Sequence, residues 1–283
     1  MIKISVLGTG IWGSAIGELL TQNGHEVILW QRDDEKVKAM EADRKHPFFA
    51  DLTFSDEVKF TSDLDMAIKG SQIIVVAVPS HSVRELVSRA VDFIENNVII
   101  VNISKGLELD TLLTMSSVIS EETVGKNVSI VSLYGPSHAE EVVRKIPTTL
   151  VAASTDENSS KKVQYIFSSS VLRVYTNTDI LGLELGGSIK NVIAIAAGIC
   201  DGIGFGDNTK AAILTRGIAE MTRLGVVLGA REKTFAGLSG IGDLFVTCSS
   251  KHSRNRYVGE EIGKGRKIDE ILSEIGLDEK GID

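Results

Sequence analysis

A glycine pattern near the start of the chain constrains the fold more than any other feature. Gly8, Gly10 and Gly13 follow an apolar run, Lys3 to Leu7, and lead into a helical pattern from Trp12 to Gln22. At this spacing the first glycine permits a tight turn, the second lets a pyrophosphate approach the backbone, and the third lets the helix pack on the strand. The N–H groups at the start of the helix add an anion site. The pattern therefore predicts a dinucleotide-binding βαβ unit.

The first two thirds of the chain alternate short β-branched runs with helical patterns. The predicted strands are Lys3 to Leu7, Glu26 to Trp30, Ile73 to Val78, Val98 to Ile103, Val128 to Leu133 and Thr148 to Ala153. The predicted helices are Trp12 to Gln22, Asp34 to Ala42, Asp63 to Ile68, Val83 to Ile94, Leu112 to Ser120 and Glu157 to Phe167. This alternation predicts an α/β fold with a doubly wound parallel sheet.

The pattern changes near Thr178. From Asp179 onward, alanine, isoleucine, leucine and glycine recur at helical spacing, and the alternation with strands stops. In a chain of 283 residues we therefore predict two domains, residues 1–178 with the sheet and residues 179–283 helical. The most apolar later stretch, Val192 to Cys200, is too short to span a bilayer and is predicted to be a buried helix.

Composition excludes several classes of function. The net charge of −8 argues against nucleic acid or an acidic membrane as a partner, because both reward clustered Lys and Arg. Cys200 and Cys248 form no disulfide framework and no zinc spacing, which indicates a reducing cytoplasm. The five histidines show no metal-ligand spacing, so no metal is expected. The first apolar run is too short for a signal peptide, and we expect no membrane insertion.

The residues after the second predicted strand are placed to contact the ribose of a dinucleotide. They are Gln31, Arg32, Asp33 and Asp34. An arginine suits the 2′-phosphate of NADP, whereas an aspartate suits the 2′-hydroxyl of NAD. Both types are present, so both cofactors remain open and NADP is favoured. The alternative is that Arg32 and Asp33 only begin a solvated helix.

A lysine interrupts the apolar helical pattern of the second domain. Lys190 lies within a run of small and apolar residues, next to Asn191. A buried ammonium is costly, so such a side chain usually faces a cavity, a ligand or a partner. One interpretation is a structural ion pair with Glu184 or Glu220. The other is a general acid/base whose pKa is lowered by burial and by a second cation such as Lys105.

Two further features suit an anionic ligand. Lys105 follows the fourth predicted strand, at the sheet edge where such folds bind ligands, although a lysine there is often only solvated. Ser253 is a candidate N-cap that would place Arg254 and Asn255 in the first turn of a helix running to about Gly263. An arginine and an amide at a positive helix end favour an anion site, and a capped surface helix is the alternative.

Six motifs, in order and spacing, closely resemble those of the bacterial NAD(P)-dependent glycerol-3-phosphate dehydrogenases. They are Gly8-Thr9-Gly10-Ile11-Trp12-Gly13, Ser104-Lys105-Gly106-Leu107-Glu108, Gly135-Pro136-Ser137-His138-Ala139, Leu185-Gly186-Gly187-Ser188-Ile189-Lys190-Asn191, Gly240-Ile241-Gly242-Asp243-Leu244 and Ser253-Arg254-Asn255-Arg256. The resemblance covers nearly the whole chain. It implies a Rossmann-type domain followed by an all-α substrate domain like the C-terminal part of 6-phosphogluconate dehydrogenase. It also implies reversible reduction of dihydroxyacetone phosphate to sn-glycerol 3-phosphate, for glycerophospholipid synthesis in the cytoplasm.

The resemblance further implies roles for single residues. Lys190 matches the catalytic proton acceptor of the family. The implied substrate contacts are Lys105, Gly135, Ser137, Lys190, Asp243, Ser253, Arg254 and Asn255. The implied cofactor contacts are Ile11, Trp12, Arg32, Lys105, Ala139 and Arg254, beside the loop glycines Gly8, Gly10 and Gly13. The implied cofactor is NADP or NAD, the partner is a small phosphate ester, and a homodimer is compatible with the sequence.

The resemblance weakens near residue 280. Family members carry a Val-x-Glu-Gly segment whose valine and glutamate contact the cofactor, whereas this chain has Leu277-Asp278-Glu279-Lys280-Gly281, with Lys280 in place of the glutamate. Two alternatives to the family activity remain open. One is another Rossmann reductase, such as a β-hydroxyacid or 6-phosphogluconate dehydrogenase. The Ser253 to Arg256 motif argues against this class, because a phosphate at the end of a three-carbon substrate gives the motif a purpose. The other is a protein that only binds NAD(P), and the lysine pair Lys105 and Lys190 speaks against that.

Overall fold

The computed structural model describes residues 1–275, which form two compact units. Unit 1 comprises Met1–Ser104, Glu108–Leu133 and Ser137–Ile180. Unit 2 comprises Lys105–Leu107, Tyr134–Pro136 and the chain from Leu181 onward. The predicted departure from the family pattern at Leu277 to Gly281 lies outside the described residues.

A parallel sheet of eight strands forms the centre of unit 1. The strands of the chain are β1 (Lys3–Leu7), β2 (Glu26–Trp30), β3 (Lys45–His46), β4 (Phe49–Thr53), β5 (Lys59–Thr61), β6 (Ile73–Val76), β7 (Ile99–Asn102), β8 (Ser129–Tyr134), β9 (Thr148–Ala153) and β10 (Leu172–Asn177). The order in the sheet is β10-β9-β8-β7-β6-β1-β2-β5, and β3 and β4 form a separate antiparallel hairpin. Leu7 pairs with both Trp30 and Val76, so β1, β2 and β6 end together at one edge.

Helices cover both faces of this sheet. They are α1 (Ile11–Gln22), α2 (Asp34–Asp43), α3 (Leu64–Ile68), α4 (Val83–Ala90), α5 (Met115–Glu122), α6 (Ala139–Val143) and α7 (Glu157–Phe167). Because side chains alternate along a strand, Ile4 and Val6 of β1 belong to one core and Leu7 to the other. The predicted doubly wound α/β fold is therefore confirmed.

The predicted elements differ from the observed ones in a few places. Strands β5 and β10 and the β3–β4 hairpin were not predicted; β5 has only three residues, and β10 lies at the edge of the sheet. The helix predicted from Leu112 begins at Met115, because Leu112 has a φ of 58° and its N–H donates to the Glu108 carbonyl in a turn. A left-handed residue of this kind cannot continue an α-helix.

Unit 2 is built from helices. They are α8 (Ile180–Ile203), α9 (Asp207–Val227), α10 (Glu232–Phe235), α11 (Asp243–Ser249), α12 (Arg254–Gly263) and α13 (Ile268–Glu274), with a π-helical turn at Leu238–Gly242. By length and composition α8 could cross a membrane, but 56% of its most apolar stretch of 18 residues is buried inside the protein. The buried helix predicted for Val192 to Cys200 is confirmed only in part, because Ile193, Ala194, Ala197 and Cys200 are buried but Val192 is 69% exposed.

Candidate active site

The glycine loop between β1 and α1 is tight on one side and open on the other. Gly8 has a φ of +119°, and a Cβ there would lie 2.5 Å from the Ala77 carbonyl oxygen. A Cβ on Gly13 would lie 2.4 Å from the Gly8 carbonyl oxygen, so this glycine lets α1 pack on the loop. Around Gly10, in contrast, no atom of the described residues other than its two chain neighbours lies within 4 Å of the Cβ position. The backbone at the start of α1 is therefore accessible to a ligand.

The start of α1 is suited to an anion. Gly10 is the N-cap residue and contributes no side-chain hydrogen bond, and the first turn contains no acidic residue. Ile11 and Trp12 lie in this first turn and are half-buried. Free N–H groups and the positive end of the helix dipole at such a position stabilise a phosphate. The local backbone thus fits the pyrophosphate of a dinucleotide.

A cleft of 360 Å³ in unit 1 continues from this loop past the carboxyl ends of β1, β2 and β6. Its lining residues are Gly8, Thr9, Gly10, Trp30, Gln31, Arg32, Ala77, Val78, Pro79, His81, Ser82, Glu85, Leu86 and Arg89. The Gln31 side-chain amide donates to the Thr9 hydroxyl at 2.7 Å, which ties the end of β2 to the glycine loop. Crevices at the carboxyl ends of parallel strands are where this class of fold binds nucleotides.

Arg32 and Asp33 differ in position. Asp33 is the N-cap of α2, and its Oδ1 accepts from the Glu35 and Lys36 N–H groups at 3.0 and 3.3 Å. Its carboxylate therefore stabilises the start of a helix. Arg32 lines the cleft, as does Arg89 of α4. Glu85 lines the same cleft and pairs with Arg89 at 3.7 Å, so Arg32 is the residue that favours a ligand with additional negative charge, such as a 2′-phosphate.

In unit 2, two lysines share one buried carboxylate. The Lys190 ammonium of α8 donates to Asp243 Oδ1 at 2.6 Å, and the Lys105 ammonium donates to Asp243 Oδ2 at 2.8 Å. Lys190 also donates to the Thr247 hydroxyl at 2.7 Å, and Lys105 to the Gly135 carbonyl at 3.3 Å. Lys190 is 5% exposed and Asp243 1%. The cluster thus carries one net positive charge in a buried place.

Glycines bring the segments of this cluster together. A Cβ on Gly186 of α8 would lie 2.7 Å from the Ser239 carbonyl oxygen, and one on Gly187 would lie 2.8 Å from the Tyr134 ring. The π-helical turn before Asp243 and the segment that contains Gly135 can therefore pack directly on α8, next to Lys190. The glycines of the Leu185 to Asn191 motif have this packing role.

The cluster changes the pKa of both buried groups. Burial lowers the pKa of Lys190 to about 8, and the neighbouring Lys105 ammonium adds to this, while Asp243 opposes it. Burial alone would raise the pKa of Asp243, but the two ammonium groups outweigh it, so its pKa lies below the ordinary value. Lys190 can therefore exist in both protonation states near neutral pH, next to a carboxylate that stays charged. A general acid/base needs this property.

The start of α12 has the predicted cap. The Ser253 hydroxyl accepts from the Arg256 N–H at 3.2 Å, and Arg254 and Asn255 occupy the first turn, which contains no acidic residue. The Arg256 side chain instead donates to Asp201 at 2.9 Å. A Cβ on Gly259 would lie 2.1 Å from the Ile195 carbonyl oxygen, so α12 packs backbone to backbone on α8. The first turn of α12 is thus firmly held and suits an anion.

The structure corrects one interpretation of Lys190. The carboxylate that accepts from Lys190 is Asp243, whereas Glu220 pairs with Arg216 and Arg223. Among the other predicted site residues, Ser137 follows β8 and Ala139 begins α6, and both belong to unit 1. Within residues 1–275, no three His, Cys, Asp or Glu side chains form a group that could hold a metal ion.

Four side chains outside the predicted set of site residues contribute to these sites. The Lys105 ammonium lies over the ring of Tyr134, 5.8 Å from the centroid of that ring. Arg89 is on the cleft wall, and His46 contacts the Thr9 carbonyl. Thr247 could be placed near Asp243 from spacing, because residues four apart lie on one face of a helix. The other three reach their sites only through the tertiary fold.

The chain is similar in sequence to one family over almost its whole length. The family model for the N-terminus of NAD-dependent glycerol-3-phosphate dehydrogenase matches residues 3–160, and the model for its C-terminus matches residues 179–283. The glycerol-3-phosphate dehydrogenase [NAD(P)+] of Thermoanaerobacter sp. is 49% identical over 281 residues, 99% of this chain and 84% of that protein. The enzyme of the same name from Chlorobium phaeobacteroides is 50% identical over 283 residues, 99% of this chain and 85% of that protein.

A solved structure shows the same architecture. The crystal structure of glycerol-3-phosphate dehydrogenase from Coxiella burnetii aligns with a TM-score of 0.92 at 35% identity, covering 99% of this chain and 86% of the other. The predicted combination of a Rossmann-type sheet with a helical C-terminal part is therefore confirmed.

Proposed function

Because the chain belongs to the NAD-dependent glycerol-3-phosphate dehydrogenase family, we propose that it catalyses the reversible reduction of dihydroxyacetone phosphate to sn-glycerol 3-phosphate with NADPH or NADH. One observation carries this proposal: the buried Lys190, with a pKa of about 8, held by Asp243 and Thr247. Dinucleotide binding alone requires no such group. Proton transfer to a carbonyl oxygen does.

Lys190 moves the proton in this reaction. When bound, the reduced nicotinamide supplies a hydride to C2 of the substrate. The Lys190 ammonium donates a proton to the C2 carbonyl oxygen as that oxygen gains negative charge, and the neutral amine accepts it again in the oxidation direction. Asp243 and Thr247 fix the direction of the ammonium, since each accepts one of its hydrogen bonds. The proton lost in each reductive cycle is regained from solvent.

The substrate phosphate binds at the start of α12. Arg254 contributes a charge-assisted hydrogen bond, Asn255 an amide donor, and the Ser253-capped helix its positive end. Binding energy from the phosphate, remote from the reacting carbon, helps to hold C2 in place for the transfer. We assign further substrate contacts to Lys105, Gly135, Ser137 and Asp243 on the resemblance of their motifs.

The cofactor binds through residues 1–178 and the substrate mainly through residues 179–283. Gly8, Gly10 and Gly13, with Ile11 and Trp12, form the pyrophosphate-binding start of α1. Arg32 selects NADPH over NADH, because the neighbouring Asp33 is used as a helix cap and Arg32 lines the cleft. Lys105, Ala139 and Arg254 complete the proposed cofactor contacts.

The proposed reaction supplies the backbone of glycerophospholipids, and we propose that it takes place in the cytoplasm, where reduced cofactor and the triose phosphate are both available. A homodimer is the proposed assembly. Both proposals rest on the family resemblance.

An isotope experiment tests the chemistry. NADPH that carries deuterium at both C4 positions is incubated with the protein and dihydroxyacetone phosphate, and the product is analysed by NMR. The expected product is sn-glycerol 3-phosphate with one deuterium at C2. Absence of this product, or a product without deuterium at C2, would refute direct hydride transfer.

A further inference from the structure

A histidine that the catalytic proposal does not use holds the glycine loop of unit 1. His46 of the β3–β4 hairpin is 4% exposed, and its Nε2 lies 3.1 Å from the Thr9 carbonyl oxygen. Its Nδ1 accepts from the Phe48 N–H at 3.2 Å. An imidazole nitrogen that accepts carries no proton, so in the neutral ring the proton is on Nε2. His46 therefore donates Nε2–H to the Thr9 carbonyl.

The protonation state agrees with this geometry. Burial lowers the pKa of His46 below its ordinary value, and the hydrogen bond to Thr9 offsets this only in part. The ring is thus neutral near neutral pH. It can then satisfy both backbone groups at once, as acceptor for Phe48 and as donor to Thr9.

The hydrogen bond to Thr9 has a consequence for the next residue. In a trans peptide the carbonyl and the following N–H point in opposite directions, and the described residues contain no cis peptide bond. Holding the Thr9 carbonyl toward His46 therefore turns the Gly10 N–H away from His46. Gly10 is the N-cap of α1, and no atom of the described residues other than its chain neighbours lies within 4 Å of its Cβ position. The Gln31 amide holds the Thr9 side chain as well, at 2.7 Å.

We propose that His46 is a positioning residue of the cofactor site, which fixes the Thr9–Gly10 peptide so that the Gly10 N–H is presented to the pyrophosphate. The inference rests on the proposed NAD(P)H site and adds to it a residue from outside the βαβ unit. Without His46 the peptide can rotate, and the Gly10 donor is no longer preorganised. The loss affects ligands that carry a pyrophosphate and spares ligands that lack one.

Two substitutions separate this role from simple packing. In His46→Asn the amide oxygen can take the place of Nδ1 and accept from Phe48, but the side chain is too short to reach Thr9. In His46→Gln the amide nitrogen reaches the place of Nε2 and can donate to Thr9. The dissociation constants of NADPH and of adenosine 2′-phosphate are measured by titration for both variants and the unsubstituted protein, together with the melting temperature. Adenosine 2′-phosphate is the control ligand, since it has no pyrophosphate.

We expect His46→Asn to raise the Kd of NADPH about 5-fold, the effect of losing one hydrogen bond, while the Kd of adenosine 2′-phosphate changes less than about 2-fold. His46→Gln should restore the Kd of NADPH to within about 2-fold of the original. An unchanged Kd of NADPH in His46→Asn would overturn the inference, as would equal weakening of both ligands or failure of glutamine to restore binding.

Binding is measured without turnover, so the two proposals fail separately. A protein that binds NADPH but does not reduce dihydroxyacetone phosphate contradicts the proposed function. The binding constants of the His46 variants still test the role of His46 in that case. A protein that does not bind NADPH contradicts both.

Discussion

Replacing Asp243 with asparagine changes the charge of the Lys190 cluster while nearly preserving its shape. The two lysines now share one carboxylate, with contacts of 2.6 and 2.8 Å. After Asp243→Asn they face each other with only a neutral amide between them. The ammonium form of Lys190 loses its main stabilising charge, so its pKa falls further below the present value of about 8. The proton donor for carbonyl reduction becomes scarce at neutral pH.

The size of this effect follows from the contact distances. A unit charge about 4 Å away contributes roughly 4 kcal/mol at an effective dielectric constant of about 20. The asparagine oxygen still accepts a hydrogen bond, so we take about 3 kcal/mol as the net loss, which shifts the protonation equilibrium of Lys190 roughly 100-fold toward the neutral amine and lowers its pKa below the present value of about 8. At a pH of about 7.5 the ammonium fraction then falls about 20-fold, whereas at a pH of about 5.5 it falls less than about 2-fold.

The assay is kcat for dihydroxyacetone phosphate reduction at saturating substrate and NADPH, across this pH range. We expect a deficit in Asp243→Asn of about 20-fold near pH 7.5 that nearly closes on acidification. Lys190→Ala is the control, because the alanine side chain has no group that acidification could protonate. Its loss of kcat should persist at every pH, while NADPH binding is kept. A deficit in Asp243→Asn that does not depend on pH would refute the electrostatic account of the cluster.

Three further substitutions, one of them with a matched control variant, test the phosphate site, the cofactor preference and the packing of α12. Arg254→Ala should raise the KM for dihydroxyacetone phosphate about 10- to 100-fold with a smaller change in kcat, as steady-state kinetics would show; an unchanged KM would exclude the phosphate site at α12. Arg32→Gln should weaken NADPH about 10-fold and NADH less than about 2-fold in binding titrations, and equal effects on both would exclude recognition of the 2′-phosphate. In Gly259→Ala the new Cβ would lie 2.1 Å from the Ile195 carbonyl oxygen, so the melting temperature of this variant should fall. Gly206→Ala is the control, because no described atom other than the chain neighbours lies within 4 Å of the new Cβ, and this variant should melt near the original temperature. Equal melting of these two variants would contradict the close packing of α12 on α8.

Local patterns in the sequence were sufficient to predict the sheet and the glycine loop. The turn formed by Gly8, Gly10 and Gly13 depends only on residues that are close along the chain, namely the strand before it and the helix after it. The structure contains this strand, turn and helix, and each of the three glycines has different surroundings. The Ser253 cap of α12 was predictable for the same reason, since a cap depends on the three residues that follow it. The strands β5 and β10 carry a weaker pattern, because β5 has only three residues and only two of the six residues of β10 are buried.

The chemistry of the cluster depended on contacts that no local pattern encodes. Lys105 and Asp243 are 138 residues apart, and Lys190 and Asp243 are 53 apart. The sequence indicated that a buried Lys190 needs a partner, but Glu184 and Glu220 were nearer candidates along the chain. The contact of His46 with Thr9 is of the same kind: a single histidine in the two-residue strand β3 belongs to no motif, and only the folded hairpin brings it to the glycine loop.

The most direct test of the central claim is a comparison of two substrates. The near-ultraviolet absorbance of NADPH is followed with dihydroxyacetone phosphate and with unphosphorylated dihydroxyacetone. A carbonyl reductase that uses Lys190 for proton transfer and the start of α12 for phosphate binding should oxidise NADPH with the phosphate ester and show almost no turnover with the free ketone. Comparable rates with both ketones, or no oxidation by a protein that binds NADPH, would contradict it.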